Sequence, residues 1–145
     1  MKIPSNVKIY ESPLSTMWKG EDGIVYSVGT TAARNIQNYK LLFDVYRELS
    51  HHGAEKIFVV NDITDVKPLN TEVRLFVEAE TSKYVRAMAF VATSTLGAAI
   101  GNVFQMLSST PYPMASFSDH DEAIRWMKEQ MKGGMAESNT LNAEE

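Results

Sequence analysis

The spacing of apolar residues changes twice along this chain, and the changes predict its elements. Three short runs come first: Val7–Ser12, closed by Pro13, then Leu14–Lys19, then Ile24–Gly29. In the third, Ile24, Tyr26 and Val28 fall on one face and Val25 and Ser27 on the other, the period of a strand. Gly20-Glu21-Asp22-Gly23, set between two strand-like runs, predicts a hairpin turn. From about Thr31 to His51 the spacing becomes helical. Ile36, Tyr39, Phe43, Tyr46 and Leu49 recur along one side, and Leu42 widens the stripe. Arg34, Lys40, Asp44, Arg47 and Glu48 take the other positions; Thr30 or Thr31 supplies a capping hydroxyl, and Gly53 marks the end.

Beyond Gly53, short apolar runs alternate with helices. Lys56–Asn61 shows no polar alternation and reads as a strand covered on both faces. Asn70–Tyr84 is helical, Arg86–Thr93 a second buried strand, and Thr95–Ser108 a helix with small residues at Gly97, Ala98, Ala99 and Gly101. Pro111 and Pro113 bracket a turn before a last strand, Met114–Ser118. A final helix begins at Asp119, where Glu122 stands at the third helical position of a capping box. Ala123, Ile124, Met127 and Met131 form its apolar side, with Trp126 at the edge, and Gly133-Gly134 predicts its stop. The order is therefore β-β-β-α-β-α-β-α-β-α: an α/β chain with a mixed β-sheet and packed helices, antiparallel in the opening hairpin and parallel after it. Residues 1–132 read as a single domain and 133–145 as a disordered acidic tail. Periodicity leaves the order of strands in the sheet open.

Composition narrows the function classes. The chain has 145 residues, 44% of them apolar and 22% charged, enough for one ordinary globular domain. Its 14 bases and 18 acids give a net charge of −4, without the basic excess that nucleic-acid binding needs. Residues 1–132 hold all 14 bases and 15 of the 18 acids, so most of the negative balance lies in Glu137, Glu144 and Glu145. Absence of cysteine removes disulfides, thiolate metal sites and thiol nucleophiles together. Met1-Lys2-Ile3-Pro4-Ser5-Asn6 is too polar to begin a signal peptide. The longest apolar run, Ala87–Ala92, is far short of the ~20 residues of a membrane-spanning helix. A cytoplasmic protein is expected.

In a sheet of this kind, ligands and partners meet the loops at the carboxyl ends of the parallel strands. One such loop, residues 61–71, concentrates Asn61, Asp62, Thr64, Asp65, Lys67 and Thr71; the other is Thr93-Ser94-Thr95. Asp62 and Asp65 suit a carboxylate pair, but aspartates also accept backbone amides in turns. Ser94 is placed to cap the helix that follows it, at a helix start that also suits an anion. Gly97 and Gly101 allow close helix packing, either within the fold or between two copies of the chain. His51 and His52 are adjacent on a helix and so a poor chelate, and His120 has no ligand near it at metal spacing. No catalytic residue, metal or cofactor is assigned, and no nucleophile-elbow, zinc-protease, Walker or dinucleotide fingerprint occurs.

The element order, the loop after Val60 and the ending Phe117-Ser118-Asp119-His120-Asp121-Glu122-Ala123-Ile124-Arg125-Trp126-Met127 resemble the STAS superfamily, specifically its bacterial SpoIIAA-like proteins. The resemblance spans roughly residues 6–132. It implies a non-enzymatic module for regulatory protein interaction, in anti-sigma or sensor signalling, with a kinase-like or sensor protein as partner. The partner-binding loop it implies comprises Asp62, Thr64, Asp65, Lys67, Asn70, Glu72 and Arg74. In the anti-sigma antagonists of that group, a serine in a D-S-S-G motif at the start of the second helix is phosphorylated. Here the motif falls on Asn70-Thr71-Glu72-Val73, with Thr71 at the phosphoacceptor position. Glu72 already places negative charge beside it and would repel a phosphate, which disfavours conventional phospho-switching. A broader similarity to the CRAL-TRIO fold implies an alternative, a small apolar ligand or lipid held between sheet and helices. Met88, Phe90, Phe104, Met106 and Met127 are the side chains suited to line such a pocket.

Overall fold

The computed structural model describes residues 1–95 and 110–144. Six strands form one sheet in chain order: β1 (Tyr10–Glu11), β2 (Ser15–Lys19), β3 (Val25–Gly29), β4 (Ile57–Asp62), β5 (Val85–Val91) and β6 (Met114–Phe117). β1, β2 and β3 pair antiparallel, and β3 through β6 pair parallel, giving the mixed sheet expected from the pattern. The first strand is shorter than Val7–Ser12. Beyond Thr95, the predicted helix Thr95–Ser108, with Gly97, Gly101, Phe104 and Met106, lies outside the described residues.

Helix α1 spans Ile36–Leu49 rather than starting near Thr31. Its cap is Asn35, whose Oδ1 accepts the Asn38 amide at 2.8 Å. Thr30 is occupied elsewhere: its hydroxyl donates to the Pro13 carbonyl at 2.7 Å. At the other end, Ser50 closes the helix, and His51 and His52 turn out of it with φ of 50° and 59° before Gly53 at 86°. The two histidines are therefore beyond the helix, in the left-handed region that histidine tolerates better than most residues. Helix α2 covers Thr71–Thr81, capped by Asn70, whose Oδ1 accepts the Val73 amide at 2.9 Å. Helix α3 covers His120–Glu144, and Asp119 Oδ1 accepts the Asp121 amide at 2.9 Å just before it. Gly133 and Gly134 lie inside this helix, so the predicted stop is not observed there. Glycine costs a helix only about 1 kcal/mol relative to alanine, a penalty rather than a terminator.

Two apolar cores result, one on each face of the sheet. On the first face α1 and α2 pack over Met17, Val25, Ile57, Val59, Val85 and Met88. Phe43 sits among four rings, with Tyr39 at 6.1 Å, Tyr46 at 5.8 Å, Phe76 at 5.9 Å and Tyr84 at 6.4 Å. On the second face α3 lies across β4, β5 and β6. Its Ala123 and Met127 are fully buried against Ile24, Val60, Ala87, Ala89 and Val91. The small alanines of β5 let that helix approach closely. Trp126 packs at the rim, its ring 5.8 Å from that of Phe117.

Candidate functional site

The carboxyl end of β4 carries the loop singled out by its polar residues. Asp62, the last residue of the strand, points to the α3 face and is only 7% exposed. Its Oδ1 accepts the Thr64 amide at 2.9 Å, and its Oδ2 lies 2.9 Å from His120 Nε2 and 3.6 Å from the Met1 amino group. Burial pushes this carboxyl up, but bonds from the Thr64 amide and hydroxyl and from the His120 ring outweigh it. The carboxyl is held below the ordinary aspartate value. Thr64 in turn ties the loop to the end of β5. Its Oγ1 accepts the Thr93 amide at 3.1 Å, and its carbonyl accepts the Ser94 hydroxyl at 3.0 Å. Asp62, Thr64, Thr93, Ser94 and His120 thus form one internal bracket joining β4, β5 and α3.

The rest of the loop divides between structure and surface. Val66 is buried, Asn70 caps α2, and Arg74 Nη1 pairs with Glu78 Oε1 at 2.8 Å. Asp65 and Lys67 are exposed, as are Thr71 and Glu72 in the first turn of α2. Leu75, absent from the sequence-based set, shares their side of the helix and is 54% exposed. The bracket and the outward surface therefore use different residues of one loop. His120 entered the bracket from 58 residues away, a pairing no local spacing displays.

A cavity of about 60 Å³ lies between the sheet and the two helices of the first face. Met88 and Phe90 line it as expected for an apolar pocket, whereas Met127 belongs to the opposite core. Its lining is not wholly apolar. Ser27 and Asn61 are register partners on β3 and β4, and both project into it. Arg34, placed on the polar side of a helix by its spacing, instead precedes α1 and turns inward. Its Nη2 donates to the Leu14 and Thr30 carbonyls at 3.0 and 2.8 Å. Gly29 makes room for it: a Cβ there would lie 3.2 Å from Arg34 Nη2 and would collide with Val66. Tyr46 is 3% exposed, and burial pushes its hydroxyl up, as it does those of Tyr39 and Tyr112. All three are neutral donors at physiological pH.

Among the described residues, no group of three or more His, Asp or Glu side chains is placed to hold a metal ion. No helix among them is long and apolar enough to cross a membrane.

A family model described as "Domain of unknown function (DUF7793)" matches residues 17–131. The fold is similar to that of an uncharacterized protein of the DUF3478 family from Shewanella loihica PV-4, described as having a SpoIIAA-like fold. The two share 16% identity at a TM-score of 0.55, over 87% of this chain and 99% of the other. No curated protein matches the chain. The architecture is thus SpoIIAA-like; likeness at this identity speaks to fold alone.

Proposed function

Because this chain belongs to the DUF7793 family, a domain of unknown function, we propose its role from its own surface: a non-enzymatic, cytoplasmic module that binds a regulatory protein. The contact surface is the outer side of the β4–α2 loop and α2, comprising Lys67, Thr71, Glu72 and Leu75. The observation that carries this reading is Leu75, half exposed on a helix whose entry loop is fixed from within. A lone exposed leucine is ordinary. Here it is an apolar centre with polar and charged residues around it, mounted on a loop already anchored by Asp62, Thr64 and Asn70. Such preorganisation lowers the ordering cost that weakens interfaces built on mobile loops. Thr71 begins α2 next to Glu72, so the surface works without a phosphate switch.

The test is site-specific photo-crosslinking in the producing cell, with the probe at Leu75 or at Leu41. Leu41 is a comparably exposed leucine, at 50%, on α1. A discrete adduct with a regulatory protein from position 75, absent from 41 and abolished by Lys67→Glu, is expected. Equal labelling from both positions, or none from 75, overturns the reading. Adducts between two copies of this chain would replace it with a homodimer.

A further inference from the structure

The β4–α2 loop has an inner side as well as the outer one assigned above to partner binding. Ile63 and Val66 are buried and Leu69 is packed against the first core, so every third residue turns inward. Asp65, Lys67 and Thr71 are exposed on the other side. Hydrogen bonds hold the loop at its ends, through Asp62 and Thr64 at one and Asn70 at the other. In the middle, Asp65, Lys67 and Leu69 make no hydrogen bond among the described residues. There the Val66 amide closes a turn on the Ile63 carbonyl at 3.1 Å, and its side chain is the buried anchor of the span.

Val66 rests where a side chain is missing. Gly29 ends β3, and strand alternation puts it on the face of Val25 and Ser27, toward the first core. Its φ lies outside the left-handed region, so the obstacle to another residue there is space. A Cβ at Gly29 would collide with Val66 Cγ2, and would lie 3.2 Å from the Asp62 carbonyl oxygen and from Arg34 Nη2. Val66 therefore occupies the volume that a side chain at position 29 would fill. Arg34 does not give way freely, because its Nη2 is held by the Leu14 and Thr30 carbonyls. We propose that Gly29 and Val66 form a latch that sets the middle of the loop, and with it Lys67, in the partner-binding position. The latch rests on the interaction surface proposed above. Val66 is a positioning residue within it, touching no partner and holding its neighbours in a shape that need not be ordered on binding.

The experiment compares Gly29→Ala, Val66→Ala and the double variant in the full chain, by amide NMR and by photo-crosslinking from position 75. Gly29→Ala is expected to shift the Asp65, Lys67 and Leu69 amides, while those around Met127 in the other core stay in place. Each single variant should lower the position-75 adduct about fivefold or more, the loss expected when a loop must be ordered on binding. The double variant returns a methyl to the contact from the opposite side, and should restore the amide positions and most of the adduct. A Gly29→Ala defect that Val66→Ala does not relieve would trace to the Asp62 carbonyl or Arg34 and overturn the latch. So would unmoved loop amides in Gly29→Ala, or an undiminished adduct from a displaced loop. Either result leaves the interaction surface standing. If Gly29→Ala does not fold, Val66→Ala decides, and a folded variant with the parental adduct overturns the latch. Absence of any adduct from the parent chain would instead refute the interaction surface itself, and the latch with it.

Discussion

Asp62 is where three elements meet through one side chain. Its carboxylate bonds to the loop of β4 through Thr64, and to α3 through His120. Because these bonds hold its native value below the ~3.9 of an unfolded aspartate, its contribution is complete above that pH. That contribution disappears as the pH falls through the lower native value. Asp62→Ala is expected to reduce unfolding free energy by about 1–3 kcal/mol near neutral pH. The gap to the parent chain should narrow below about pH 4. Urea titrations at pH 7 and pH 3 measure both; a gap independent of pH would refute the assignment. The sequence marks Asp62 as a loop carboxylate suited to a pair with Asp65, to a partner contact or to a turn amide, and the turn amide is the one observed, from Thr64. Its partner His120 is invisible in the sequence, because contact across 58 residues is fixed by how α3 crosses the sheet. Arg34 is hidden for a different reason. A charged residue at an outward helical position looks solvated, and only Gly29 opposite it provides the space to turn inward.

At the level of elements, amphipathic spacing located α1 and α2 because burying one stripe is what makes a helix profitable in water, and a stripe is visible in one dimension. Ends are decided by single hydrogen bonds, where several residues compete. Thr30, Thr31 and Asn35 all qualify as caps of α1, and Thr30 is taken by the Pro13 carbonyl between β1 and β2. The exit from α1 is more constrained. Gly53 has φ of 86°, and a Cβ there would lie 2.9 Å from the Lys83 carbonyl oxygen. Gly53→Ala should therefore destabilise by roughly 1–2 kcal/mol or more, read from the chemical denaturation midpoint. No change would mean that the turn relaxes freely. At the start of α2, Asn70→Ala should cost about 1 kcal/mol through loss of the Val73 bond. Its fold should survive, which separates the capping role of Asn70 from any contact with a partner.

Across the whole molecule, the sheet is a partition between two separate cores. Met127 anchors the second one, and Met127→Ala is expected to cost about 2–5 kcal/mol in thermal or chemical unfolding, the range of a fully buried methionine. A cost near zero would mean that α3 is loosely docked. The pattern of the sequence called for helices against a mixed sheet, but hydrophobic spacing does not say which strands are neighbours, so the order β1 to β6 had to be seen. That order carries a consequence for how the chain folds. Every strand pairs with the strand that precedes it along the backbone, so each pairing closes only the loop or helix between them. The sheet can grow one strand at a time as the polypeptide leaves the ribosome, without waiting for its distant end. Such short-range closures favour fast folding for a protein with parallel strands, a class whose crossovers usually slow it.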